Sequence, residues 1–103
     1  MRVVVDAKAW TDLDQIGAWI AKDNPRAARE VLRRILETTA QLQRFPRLAR
    51  QGRVRGTHER LVAGTPYIIV FELLERTARV SHHRHRARPP RSVAGAANAC
   101  RDL

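Results

Sequence analysis

The sequence predicts an α+β fold of order β-α-α-β-β-β, with a helical hairpin packed on one face of a small, mainly antiparallel sheet. Three observations predict it. Apolar residues recur at helical spacing through two consecutive segments joined by Asp23-Asn24-Pro25. The run Tyr67-Ile68-Ile69-Val70-Phe71-Glu72-Leu73 is nearly continuously apolar, which suits the centre of a sheet. Strand-like segments flank these, at Val3-Val4-Val5 and from Thr77 onward.

Each element has a local reason. Val3-Val4-Val5 is a β-branched opening strand. In the first helix Trp10, Leu13, Ile16, Gly17 and Ile20 share a face, and Asp12 and Asp14 favour its N-terminal part through the macrodipole. Asn24 is placed to cap the second helix, and Pro25 suits a first helical position that needs no amide hydrogen. That helix should run to about Gln43, burying Ala28, Val31, Ile35, Thr39 and Leu42 and turning Arg26, Arg29, Arg33 and Arg34 mostly outward. Phe45-Pro46 should end it. Residues 57–62 read as a strand, Gly64-Thr65-Pro66 as a turn, and Thr77 to about Arg84 as the last strand. Residues 1–84 are expected to form the domain, and residues 85–103 a basic, Ala/Pro-rich, poorly ordered tail.

Charge divides the chain. Residues 1–43 carry seven Lys/Arg against six Asp/Glu, whereas residues 44–91 carry twelve Arg against three Glu. Almost all of the net +10 therefore lies in the second half, where an anionic partner should bind. The single Cys100 excludes an internal disulfide and cannot build a zinc site alone. The opening apolar run is too short for a signal peptide, and no segment approaches a membrane span, so a cytoplasmic protein without membrane attachment is expected.

The combination Ala9-x-x-Asp12-Leu13-x-x-Ile16, Ile20-Ala21-x-Asp23-Asn24-Pro25-x-Ala27-Ala28, Leu42-x-x-Phe45-Pro46, Arg50-x-Gly52-x-Val54-x-Gly56-Thr57-x-Glu59 and Pro66-Tyr67-Ile68-Ile69-Val70-Phe71 resembles the RelE/ParE superfamily, toxins of bacterial type II toxin–antitoxin pairs. The series covers residues 1–75 in the family's order. The resemblance implies a cognate antitoxin whose C-terminal segment, disordered when free, wraps the toxin. It implies one of two targets: DNA gyrase, poisoned as by ParE, or mRNA on the ribosome, cut without a metal as by RelE. Gyrase is the first expectation, because no convincing catalytic set is present. An inactive toxin that only binds its antitoxin is a third class.

The last strand departs from the family pattern. Val80-Ser81-His82-His83-Arg84-His85-Arg86 places charge and imidazole where alternate residues should be buried, which costs several kcal/mol unless paired. Plausible codons for this stretch, read one base along, give Ala-Ile-Ile-Ala-Ile-Ala. A shift of frame near residues 76–80 would thus make residues 81–103 a foreign tail. The alternative is a genuine basic edge strand, exposed to nucleic acid.

For RNA cleavage the candidates are Arg53, Arg55, His58, Glu59, Arg60 and His85, a guanidinium cluster with a titratable imidazole. Arg53 and Arg55 alternate, as do His58 and Arg60, so each pair shares a face if extended. For antitoxin binding the candidates are Arg50, Arg53 and Arg55 with Trp10 and Trp19. Tyr67 reads as core. His82, His83 and His85 are poorly spaced for convergent ligation, and no metal or other cofactor is expected.

Overall fold

The computed structural model describes residues 2–44, 49–86 and 100–102. Its elements are β1 (Arg2–Asp6), α1 (Ala7–Ala21), α2 (Pro25–Gln41), β2 (Arg50–Gln51), β3 (His58–Leu61), β4 (Tyr67–Leu74), β5 (Thr77–His85) and β6 (Cys100–Asp102). The expected β-α-α-β-β-β order is present, with the two short strands β2 and β6 added. Six strands form one sheet in the order β2-β3-β4-β5-β1-β6. All pairs are antiparallel except β1 with β5, in which Val3 lies opposite Ala78 and Val5 opposite Val80.

The helical hairpin forms where its sequence directs. Asn24 has extended backbone, and its Oδ1 accepts the Ala27 N–H at 3.1 Å with Pro25 following at the first helical position. The helices close on each other at Gly17, where Leu32 Cδ1 would sit 2.9 Å from any added Cβ. Phe45-Pro46, the expected helix stop, lies outside the described residues.

The core lies between hairpin and sheet. Val3, Val5, Ala9, Leu13, Ile35, Leu42, Val62, Tyr67, Ile69, Phe71, Ala78 and Val80 form one buried cluster, with Trp10, Ile16, Ile20, Val31 and Leu32 packed against it. Tyr67, Ile69 and Phe71 alternate along β4 toward the helices, so Ile68 and Val70 face away. Those two are nevertheless buried.

Strand β5 corrects two expectations. It lies between β4 and β1, so it is not an edge strand. It is not exposed either, since Ser81, His82, His83 and Arg84 are all buried. A register shift opposite Val70/Phe71 lets Val80 face Phe71 and His82 face Val70, leaving Ser81 as the extra residue. Ser81 Oγ donates to the Val70 carbonyl at 3.2 Å.

Asp12 also differs from its sequence reading. Rather than lying in the first helical turn, it is buried deeper in α1, paired with Lys8, and accepts the His83 backbone N–H through Oδ2 at 2.9 Å. It thereby ties α1 to β5.

Candidate functional site

The site grows from the alternation of β3. His58 lies opposite Phe71 and Arg60 opposite Ile69, so both take the helix side of the sheet. Glu59 and Leu61 take the other side. On that face β5 presents Arg84 opposite Ile68.

Glu59 joins four segments. Its Oε1 accepts Arg84 Nη2 at 2.7 Å and Arg50 Nη2 at 3.5 Å, and its Oε2 accepts the Arg53 backbone N–H at 3.0 Å. Because β4 separates β3 from β5, the Glu59–Arg84 bond crosses the face of β4 above Ile68 and Val70. Both partners are almost fully buried, at 3% and 5% side-chain exposure. Burial pushes the Glu59 pKa up, but the Arg53 N–H, the Arg84 hydrogen bond and the charges of Arg84 and Arg50 outweigh it and hold the carboxyl below its ordinary value.

Beside this pair is a pocket of about 390 Å³ lined by Arg50, Glu59, Arg60, Leu61, Ile68 and Arg86. Arg50 and Arg86 flank one carboxylate whose charge is already taken, while Arg60 borders the pocket with its guanidinium turned to Gln41. Leu61, 47% exposed, supplies an apolar surface over the buried Ile68. Arg86 is anchored through its backbone N–H, which donates to the Pro66 carbonyl at 2.6 Å. Such a pocket can hold a carboxylate or phosphate.

The residues named for cleavage do not converge on it. Arg60 lines the pocket and donates to Gln41 Oε1 at 3.4 Å. Arg53 and Arg55 are exposed on the loop after β2, which turns at Gly56 with φ +84°. His58 stacks on Phe71 with ring centroids 5.6 Å apart. His85 meets the edge of Tyr67 at 5.5 Å. Tyr67 is in the core, as its sequence position implies.

The residues named for antitoxin contact also separate. Arg50 joins the Glu59 cluster, whereas Trp19 is 67% exposed on α1 with Lys22 Nζ 5.2 Å from its ring centre. Trp10 packs on the core, and its Nε1 has no hydrogen-bond partner among the described residues.

Sequence reasoning missed Arg84 and Arg86, taking both as parts of one charged, exposed run. The period-2 alternation of β5, counted across a bulge, would have placed Arg84 on the face of Glu59. A second buried group, His83, lies on the helix side. Its Nδ1 donates to the Ala9 carbonyl at 3.2 Å. Burial pushes its pKa down to about 4, against the opposing pull of Asp12 and the Ala9 carbonyl. Among the described residues no three His, Cys, Asp or Glu side chains gather as a metal ion would need, and no helix is long and apolar enough to cross a membrane.

Comparison with known proteins places this geometry. The family described as "ParE toxin of type II toxin-antitoxin system, parDE" matches residues 3–90. Y4kP of Sinorhizobium fredii (strain NBRC 101917 / NGR234), designated a candidate toxin, is 41% identical over 66 residues, covering 64% of this chain and 69% of that protein. A solved structure described as the chromosomal ParDE TA system from P. aeruginosa superposes with a TM-score of 0.72 at 19% identity, covering 82% of this chain and 95% of the other. That last likeness is one of fold. Since the family match runs from β1 past the end of β5, the chain belongs to the ParE toxins of type II toxin–antitoxin systems.

Proposed function

We propose that this toxin stops growth by poisoning DNA gyrase and is neutralised by a cognate antitoxin. The observation that carries the choice of target is the scatter of the would-be catalytic residues. Of the cleavage candidates, Glu59 and Arg60 border the pocket, Arg53 and Arg55 do not, and the His58 and His85 rings are engaged with Phe71 and Tyr67. General acid–base cleavage of RNA needs an acid or base within hydrogen-bond reach of the phosphate and its 2′-hydroxyl. The one carboxylate in the pocket, Glu59, is held ionised by arginines, which weakens it as a base. Membership of the ParE family supports the same target.

A ribosome-dependent mRNA endonuclease is the second reading. It is favoured by Arg50, Arg60 and Arg86 around one pocket, an arrangement that would stabilise a pentacoordinate phosphate.

The test is a gyrase supercoiling reaction with the purified toxin, run beside primer extension on an mRNA in a reconstituted translation system. Accumulation of linear DNA in the gyrase reaction, with mRNA intact, is expected. Unimpaired gyrase with ribosome-dependent cuts within codons would transfer the function to the second reading. No effect in either system, together with harmless expression in cells lacking antitoxin, would make this an inactive member.

A further inference from the structure

The pocket beside Glu59 is placed at one end of the sheet and joins groups from β2, β3, β4 and the end of β5. We propose that it is a carboxylate-binding site for an acidic, partly apolar peptide segment, clamped by Arg50 and Arg86, with Glu59 as the positioning residue that sets the clamp. The proposal deepens the antitoxin reading above and rests on it.

Three features favour a peptide over nucleic acid. None of the six lining residues is aromatic, so no platform for base stacking is present in the pocket. The nearby rings of His58 and His85 are occupied by Phe71 and Tyr67. The exposed apolar surface of Leu61 beside the arginines suits an aliphatic side chain next to an acidic one.

Glu59 has an unexpected place in an anion site, and its contacts explain it. One carboxylate oxygen takes Arg84 and Arg50, and the other takes the Arg53 N–H. Its negative charge is therefore consumed internally. What it contributes is geometry: β2 and the following loop are drawn onto β3, and Arg50 is aimed along the pocket.

This makes opposite predictions for Glu59→Gln. If simple field strength governs binding, removing a negative charge tightens the hold on an anion. If Glu59 positions the clamp, the amide offers only one acceptor to three donors, Arg50 and the loop shift, and binding weakens.

The experiment measures fluorescence anisotropy of labelled poly-L-glutamate on the full chain, with circular dichroism melting to verify folding. Glu59→Gln should weaken binding about fivefold or more, and Arg86→Glu about tenfold. Arg29→Glu, the same charge change at an exposed site on α2, should weaken it less than about twofold. Arg86 is exposed, so its variant carries the test if Glu59→Gln does not fold. Equal losses for Arg86→Glu and Arg29→Glu, or tighter binding by Glu59→Gln, would overturn the site in favour of a diffuse basic surface. Site-specific loss for oligouridylate of matched charge but not for polyglutamate would overturn it in favour of nucleic acid. Copurification with the cognate antitoxin separates the two levels. A wild-type chain that fails to copurify sinks the antitoxin reading itself, whereas wild type and Arg86→Glu copurifying equally sinks only the pocket.

Discussion

Arg84 and Glu59 show how a single side chain changes meaning with its neighbours. In water an arginine on a strand is unremarkable. Here both partners are almost fully buried and joined at 2.7 Å. Removing only Arg84, as in Arg84→Met, leaves the buried carboxylate with the Arg53 N–H and the longer Arg50 contact and should cost about 3 kcal/mol in urea unfolding. The double variant Glu59→Leu/Arg84→Met should recover most of that loss, because no buried charge remains. A double variant as unstable as the single one would show that the pair acts through something other than its charge. His83 and Glu59, with His82 also pushed down by burial, shape the pH dependence of stability. His83 has a folded pKa near 4, below its ordinary 6.5, so the unfolded chain binds its proton more readily. Its contribution is complete above pH 6.5 and is lost as pH falls toward 4, by up to about 3 kcal/mol. Glu59, also held below its ordinary value, adds a loss that begins near its unfolded pKa of 4.5 and continues as pH falls through its folded value. Urea midpoints at pH 7, 5.5 and 4 should therefore decline monotonically, and His83→Leu should flatten the part above pH 4.5. A midpoint independent of pH between 7 and 5 would contradict the burial of His83.

At the scale of elements, legibility follows how local the physics is. The start of α2 was legible because Asn24 and Pro25 act within one turn. Replacing Asn24 with Ala should cost about 1 kcal/mol, read as a lower thermal midpoint with the fold retained. Strand β4 was legible because an unbroken apolar run has few other uses. Strand β5 was legible as a strand, but its burial was not. Arg84 is tolerated because Glu59 on β3 meets it, and His83 because burial keeps its imidazole neutral while Nδ1 bonds the Ala9 carbonyl, both partners lying far away in sequence. A charge read along the chain indicates solvent, and only the fold reveals the counter-charge. The site was half visible for the same reason. Arg50, Glu59 and Arg60 lie near one another in sequence, whereas Arg86 joins them only through the β4–β5 pairing. Strand β2, two residues long, has no sequence period to detect.

Over the whole molecule, cationic surplus gathers at one end of the sheet, around Arg50, Arg53, Arg55, Arg60 and Arg86. Association with an acidic partner should fall steeply with salt, because exposed guanidiniums are screened beyond a Debye length of about 8–10 Å. The complex with antitoxin should melt well above the isolated toxin by mass action, with a midpoint that rises with antitoxin concentration. A melting temperature unchanged by antitoxin would contradict the partnership.

The parallel pairing of β1 with β5 has a consequence for how the toxin is made. Val3 meets Ala78, so β1 cannot complete its pairing until β5 has been made. The helical hairpin and the β3–β4–β5 meander close short loops and can assemble early, but β1 must hold Val3 and Val5 in water until β5 emerges. A truncated or stalled product therefore lacks the strand that completes the sheet. Fragments that stop before Thr77 should fail to fold, read as loss of a cooperative thermal transition.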